Sequence, residues 1–412
     1  MPTIPDRLIA HLDMDAFYAS CELTRYPDLV GQAVVIGGGR RHQPQLQADG
    51  TRRYARLRDY QGRGVITTST YAARDLGVFS GMGLMKAAAR APDAVLLPVD
   101  FELYRHYSRQ FKTAVMEVAP MIEDRGIDEI YIDLSAVAGV REAVGHDPLG
   151  GMRAVAQEIK NSVLRATGLT CSIGITPNKL LSKIASEIDK PDGLTLLLDT
   201  DIERIVWPLQ VRKINGIGPK ASIKLAALGI QTVGQLAATD PTLLLREFGA
   251  GYGAWLHEAA HGRDNRAVST RSEPVSLSHE TTFDRDLHAV RDRGELSGIF
   301  TQLCEKVAFD LKRKGYVGRT IGIKLRFEGF HTVTRDQSLR EPTSDAAVIR
   351  RTAGLCLKRV PLDKRIRLLG VRMAALQKAD QVRKPKRDKL LQSAEHVTAP
   401  GPQNLPLFDP QE

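Results

Sequence analysis

A chain of 412 residues, 42% of them hydrophobic, is too long for one ordinary core, so two to four domains are the natural expectation. Its 58 Lys and Arg against 48 Asp and Glu leave a net charge of +10, which suggests a polyanionic partner such as nucleic acid. Four scattered cysteines, Cys21, Cys171, Cys304 and Cys356, exclude a disulfide framework or a CxxC zinc site and read as buried thiols in a reducing compartment.

The opening RLIAHLDMDAFYASCEL is an apolar strand running into a helix over Ala16 to Leu23, with Asp15 at the N-cap position. AVVIGGG is a second strand. From Arg40 to Gly64 the chain turns polar, basic and aperiodic, which predicts a mobile and dispensable surface insertion. GVITTSTYAARDLGV is again strand then helix, and a helical period runs from Phe101 to Val118. RGIDEIYIDLS follows as a hairpin strand, entered through an Arg125-Gly126 turn. A helix over about Arg153 to Thr167 precedes the strand TCSIGIT. The next helix is expected to use Thr176 as cap and Pro177 as first residue, and to stop at Pro-Asp-Gly after Lys190. Strands alternating with helices predict an α/β layer over residues 1–195.

After Thr200 short helices and Gly-rich turns take over, and a polar linker spans about Gly262 to Pro274. RTIGIKLRFEGFHTVT then alternates as one half-buried strand. Ile321, Ile323, Leu325 and Phe327 share one face, while Thr320, Lys324 and Arg326 form a basic outer one. KRIRLLGVRM is a later strand of the same kind. The last thirty or so residues are Lys/Arg-rich, then Pro-rich, and are expected to be disordered. No signal peptide or membrane-length apolar run occurs, so a cytoplasmic protein with no membrane contact is expected.

Asp13 ends the first strand, and Asp128 and Glu129 open another. Such a pair is often only a solvated hairpin tip. If the strands are neighbours, however, three carboxylates converge, and two of them about 4 Å apart repel by roughly 4 kcal/mol at an effective dielectric of 20. Oxygen-only ligands beside phosphates suit Mg²⁺, and two such ions suit phosphoryl transfer. Asp15, two residues on, either joins that cluster or caps the helix; the cap is the favoured reading. Tyr71 and Arg74 share a helical face near an N-terminus, where a triphosphate finds a hydroxyl, a guanidinium and free amides. An ordinary amphipathic helix gives the same spacing. Lys190 either joins them or complements its helix dipole. INGIGPKASIKLAALGI reads as two helices joined by Gly216-Ile217-Gly218. This is a helix-hairpin-helix whose glycines admit a DNA phosphate and whose Lys220 and Lys224 add charge.

HLDMDAFYASCE, VITTSTYAARDLGV, IDEIYIDLS, CSIGITPNKLLSKIASEIDKPDG and INGIGPKASIKL stand in the order found in the Y-family DNA polymerases. From about residue 7 to 375 the chain resembles that family, and most of all its bacterial DNA polymerase IV branch. The resemblance implies an α+β multidomain right hand. A ferredoxin-like palm would take residues 1–21 and 96–196, and small fingers 22–95 with the insertion at 40–64, which as a basic loop in the fingers is either dispensable or in touch with the single-stranded template. A helix-hairpin-helix thumb would take 197–265, a linker 266–274, a β-rich little finger 275–375 and a tail 376–412. It implies a DNA-directed DNA polymerase for translesion synthesis, with low fidelity and two Mg²⁺ ions on Asp13, Asp128, Glu129 and the Met14 carbonyl. Tyr71, Arg74 and Lys190 would hold the incoming dNTP, Tyr18 would be the steric gate against a 2′-hydroxyl, and Phe17 would pack near the nucleotide.

The family often has Ser at the place of Gly126, which removes a turn hydroxyl but no metal ligand. QNLPLFDPQE at the C-terminus is similar to bacterial sliding-clamp-binding peptides, with Gln403 ahead of the Leu405, Leu407 and Phe408 anchors. Primer–template DNA and the clamp are thus the implied partners of a monomer. An inactive scaffold relative should lack the acids. A non-enzymatic DNA binder or a nucleotidyl cyclase leaves the thumb together with the triphosphate residues unexplained.

Overall fold

The computed structural model describes residues 6–39, 42–270 and 273–381. The chain divides into two compact units, Met1–Ser272 and Glu273–Glu412.

In the first unit, β1 (Ile9–Met14) runs into α1 (Phe17–Arg25), and β2 (Val34–Gly37) follows. The stretch expected to be a mobile insertion is structured. It forms a small hairpin, β3 (Gln45–Leu46) and β4 (Arg52–Arg53), and then β5 (Ala55–Arg56). Next come β6 (Ile66–Ser69), α2 (Tyr71–Asp75), α3 (Leu84–Ala88) and β7 (Val95–Leu97), and a four-stranded sheet has the order β5-β7-β2-β6. Leu57 and Tyr60, inside the supposed loop, are buried with Val35, Ile66, Leu84 and Leu96. Polar composition hid two core anchors, so the mobile reading is corrected over the described residues 42–64.

The central sheet joins β1 to β8 (Ile122–Asp124), β9 (Glu129–Asp133), β10 (Cys171–Thr176) and β11 (Leu194–Leu196), in the order β11-β10-β1-β9-β8. One face is covered by α4 (Phe101–Val118) and α6 (Pro148–Thr167), with α5 (Val140–His146) leading into α6. Leu12, Ile130 and Ile173 pack there with Phe111, Ile159 and Val163. Asp147 caps α6 by accepting from the Gly150 N–H, so this helix starts earlier than its apolar period suggested.

The other face receives α7 (Lys179–Ala185). Thr176 belongs to β10; Asn178 is the cap, accepting from the Leu181 N–H at 3.0 Å, and the helix ends before Lys190. Both expectations for this helix are corrected. The close approach of α7 depends on Gly174, where a Cβ would lie 2.5 Å from the Ser186 nitrogen.

The short helices α8 (Pro219–Ala227), α9 (Val233–Ala237), α10 (Pro241–Phe248) and α11 (Ala250–Ala260) enclose Leu225, Val233, Leu236, Leu244 and Leu256. The first part of the expected linker is no free tether. Val268 packs on Ile9 and Tyr131, Asn178 donates to the Gly262 carbonyl, and the Ser269 N–H donates to Glu123.

The second unit is a four-stranded antiparallel sheet under two helices. It contains β12 (Ser276–Leu287), α12 (Arg293–Lys314), β13 (Tyr316–Phe327), β14 (Thr332–Thr343), α13 (Ala346–Leu357) and β15 (Ile366–Lys378), with strand order β12-β15-β13-β14. The single strand expected from Arg319 to Thr334 is two strands, because Gly329 and Phe330 turn the chain at positive φ. Ile321, Ile323 and Leu325 face Phe300, Val307 and Ile349, as the alternation requires. Among the described residues no helix is long and apolar enough to cross a membrane, and all four cysteines are buried and free.

Candidate active site

β1 lies between β9 and β10, pairing Asp13 with Glu129 on one side and with Ser172 on the other. The Met14 N–H donates to the Asp128 carbonyl at 3.0 Å, which fixes Asp128 at the mouth of the same strand pair. Alternation puts His11 and Asp13 of β1 and Glu129 of β9 on the face that α7 covers.

Lysines meet these acids. Lys183 of α7 pairs with Glu129, whose other neighbour is His11 Nε2 at 3.4 Å. Lys190 pairs with Asp13 and, at 2.7 Å, with Glu187. It is thus a bridging cation beyond the helix rather than a dipole partner within it. Burial pushes Asp13 up to about 6 despite Lys190. Burial and the adjacent Glu129 raise Asp128. Burial opposes ionisation of Glu129 too, but bonds from His11 and Lys183 win and hold it at about 2. His11 is fully enclosed, its Nδ1 is 2.7 Å from the Ser186 hydroxyl, and burial pulls its pKa down, so it stays neutral beside Lys183.

The three acids therefore stand at one strand mouth, with Asp13 drawn toward Lys190 and Glu129 toward Lys183. Among the described residues no three His, Cys, Asp or Glu side chains form a ready metal cluster. The donors nonetheless fit a hard divalent cation. They are oxygens only, partly buried, and carry charge that Lys183 and Lys190 offset only in part.

Asp15 is neither metal-facing nor a cap. The cap position of α1 is Ala16, at φ 43° and ψ 43°, with no side-chain bond. The buried Asp15 carboxylate accepts from the Ser172 hydroxyl at 2.7 Å and the Asp192 N–H at 2.8 Å. Lys160 adds bonds to the Asp192 carbonyl and carboxylate. Together they brace the turn that presents Lys190. Sequence reading missed His11, Lys183, Lys160 and this role of Asp15.

Tyr71 opens α2 and Arg74 lies in its last turn, with the guanidinium 4.7 Å from the Tyr71 ring centre and its Nε bonded to the Ser69 carbonyl. The Tyr71 hydroxyl is buried without a hydrogen-bond partner among the described residues. Burial and then Asp15 push it up to about 12, while Arg74 and Lys190 pull the other way. An orphaned donor among these charges has a hydrogen bond left to give.

Tyr18 stacks on Tyr104 at 4.4 Å and meets Phe101 edge-on. It is half-buried, and burial followed by the Asp128 charge raises its pKa. The Phe17 ring beside it is buried in the core, edge-on to Phe111. Gly126 has room for a side chain, since a Cβ there would sit 3.5 Å from Asp128 Oδ1.

In the helical part, Gly216 has φ +115° and lies against Trp255, and Gly218 caps α8 with open space around it. The arm before them is a single 3₁₀ turn, Val211–Lys213, not a full helix. Lys220 is exposed, whereas Lys224 is engaged with the Glu247 carbonyl and the Phe248 ring at the end of α10. In the second unit, Lys324 reaches across Gly370 to Glu280 at 2.8 Å, and Arg326 donates to Thr332. Arg372 pairs with Asp336 across Gly322. The expected basic face is therefore part-neutralised and levelled by glycines. Gln403, Leu405, Leu407 and Phe408 lie outside the described residues.

Residues 12–187 match the impB/mucB/samB family model, and residues 274–385 match the C-terminal domain of the same family. A DNA polymerase IV of Methanoculleus marisnigri is 37% identical over 375 residues, which is 91% of this chain and 96% of that protein. A DNA polymerase IV of Streptomyces coelicolor is also 37% identical, over 89% of this chain and 71% of its own length. DNA polymerase IV 2 of Mycobacterium tuberculosis is 35% identical, with 90% and 99% covered. A solved Y-family DNA polymerase chimera of Dbh and Dpo4 superposes with a TM-score of 0.73 over 89% of this chain and 98% of that one; at 22% identity it speaks for the fold. The chain belongs to the impB/mucB/samB family and, within the Y-family DNA polymerases, to the DNA polymerase IV group.

Proposed function

We propose that this protein is a template-directed DNA polymerase of the Y family that adds dNTPs to a primer 3′-hydroxyl in translesion synthesis. The carrying observation is the strand mouth itself. Asp13, Asp128 and Glu129 stand at one strand mouth, Asp13 on Lys190 and Glu129 on Lys183, and the Tyr71 hydroxyl, without a partner among the described residues, lies among the charges of Asp15, Arg74 and Lys190. The family's divalent metal dependence is read here as two Mg²⁺ ions, held by the three carboxylates and the Met14 carbonyl. Bound there, they would supply the positive charge that activates the hydroxyl and steadies the leaving phosphate.

The chain's own residues do the rest. Tyr71 and Arg74 donate to the triphosphate, and Lys190, once released from Asp13, joins them. Tyr18, held flat on Tyr104, forms the wall against a ribose 2′-hydroxyl. We read the central sheet as the palm, the β5-β7-β2-β6 sheet as the fingers, α8–α11 as the thumb and the second unit as the little finger. Gly216, Gly218 and Lys220 would meet DNA phosphates, and Lys324 and Arg326 would do so once freed from their neighbours. The protein would act as a monomer in the cytoplasm, recruited to a sliding clamp through Gln403, Leu405, Leu407 and Phe408.

Primer extension with dNTPs and Mg²⁺ tests the reading. Asp128→Asn and Glu129→Gln should each lower the addition rate by at least about a hundredfold, as loss of transition-state charge stabilisation does. Primer–template affinity should hold, because removing negative charge from a phosphate site does not weaken it. Rates within tenfold of wild type would refute the site.

A further inference from the structure

Residues 42–64 build a hairpin and an edge strand that the chemistry above does not use. β3 and β4 pair Gln45 with Arg53 and Leu46 with Arg52, and β5 then returns to the border of the fingers sheet. Together they wall an open groove of about 850 Å³ that includes Gln45, Gln47, Arg52, Arg53, Arg56 and Arg58.

The arginines are of two kinds. Arg56 donates to the Asp93 carbonyl at 2.7 Å and Arg58 pairs with the Asp93 carboxylate, so both are anchored. Arg52 lies over the Tyr26 ring at 5.6 Å and has no carboxylate partner among the described residues. Arg53 is exposed, and its side chain has no partner among them. Of the two aspartates in the stretch, Asp49 is consumed by its own turn, accepting from both the Thr51 N–H and hydroxyl. Tyr54, the groove's tyrosine, is edge-on to Tyr26 and donates to Asp28, so it offers no free ring for a base to stack on. Free guanidinium groups and side-chain amides without a stacking platform suit a run of phosphates taken without regard to sequence.

We propose that this groove holds the single-stranded template ahead of the templating base, with Arg52 and Arg53 on its phosphates. The proposal rests on the polymerase reading, because the template overhang is the unpaired part of a primer–template. Position supports it. β5 and β6 are opposite borders of one four-stranded sheet, and β6 leads straight into Tyr71. Three strand spacings are about 14 Å, a span of a few unpaired nucleotides.

The test compares the full-length protein with an Arg52→Gln/Arg53→Gln double variant. Fluorescence anisotropy across a salt series would measure binding to primer–templates whose 5′ overhang is one nucleotide or about twelve. The wild type should bind the long overhang about fivefold more tightly. The double variant should lose that preference, and its salt slope on the long overhang should fall by about 1.4, the single-strand value for two phosphates. An equal preference in both proteins overturns the proposal, and so does a wild type indifferent to overhang length. Displacement from the groove by an acidic peptide but not by an oligonucleotide would assign it to a protein partner and overturn it equally. A wild type that prefers the long overhang yet extends no primer with dNTPs and Mg²⁺ would instead defeat the polymerase reading and leave the groove standing.

Discussion

Asp15 joins groups that are 157 and 177 residues away, the Ser172 hydroxyl and the Asp192 N–H, and so sets where Lys190 emerges. Asp15→Ala should unbrace that turn and raise KM for dNTP about tenfold, the scale of a lost bond to a charged acceptor, with a smaller change in kcat. Asp15→Asn should recover part of the loss, because an amide oxygen still accepts. Steady-state extension separates the two constants, and a fall in kcat at constant KM would point to direct catalysis instead. Tyr18→Ala belongs to the same scale. Tyr104 and Phe101 remain in place, so the variant should fold and admit ribonucleotides at least about tenfold more readily, as read by competition between a dNTP and its ribonucleotide. The acids could be found from sequence because strand ends and a two-residue pair mark them locally. Lys183, His11 and the real work of Asp15 could not, because each depends on strand register and on how α7 lies over the sheet.

Elements show the same division between local and distant causes. Hydrophobic alternation located β9 and β13, since such a strand writes its own period, while β1 and β10 showed as short apolar runs and are buried almost throughout. The α7 boundary was missed because Asn178 caps equally well two residues after Thr176, and only the observed bond to Leu181 decides between them. The 40–64 segment was misread because Leu57 and Tyr60 stand singly among polar residues, yet both are buried. The strap at 262–269 is held by a buried pair that no period announces. Lys179 Nζ is 2.6 Å from Glu123, which also accepts from the Ser269 N–H. Burial disfavours the Glu123 charge, but Lys179 and Ser269 hold its pKa below the ordinary value. Its contribution to stability is therefore present above about pH 4.5 and is lost as pH falls through the lowered folded value. Glu123→Gln should strand the Lys179 charge, cost about 3–5 kcal/mol in urea unfolding at pH 7, and flatten the acid limb of the stability profile. Glu123→Gln with Lys179→Met should recover most of the loss. If the single variant unfolds like wild type at pH 7, the strap is held by something else.

At the scale of the whole molecule, each unit has its own hydrophobic core, and the sequence runs on from β15 for more than thirty residues. That last stretch begins rich in Lys and Arg and ends QNLPLFDPQE, where Leu405, Leu407 and Phe408 interrupt an otherwise polar and Pro-containing composition. Apolar anchors spaced this way, behind Gln403, suit a pocket on another protein, and a sliding clamp is the partner the resemblance names. A short peptide that orders on binding has modest affinity of its own. Tethered to a polymerase already on the same DNA, such a peptide would act at high effective concentration, which multiplies avidity by roughly 10² to 10⁴ without any new contact. Deleting residues 401–412 leaves untouched every residue placed here at the strand mouth and in the groove. Single-turnover addition on a short primer–template should therefore match wild type, while clamp-loaded extension on a long template should fall to the level seen without clamp. Replacing Leu407 and Phe408 by Ala in the intact chain should reproduce the loss. Clamp stimulation that survives both changes would place the contact elsewhere on the protein.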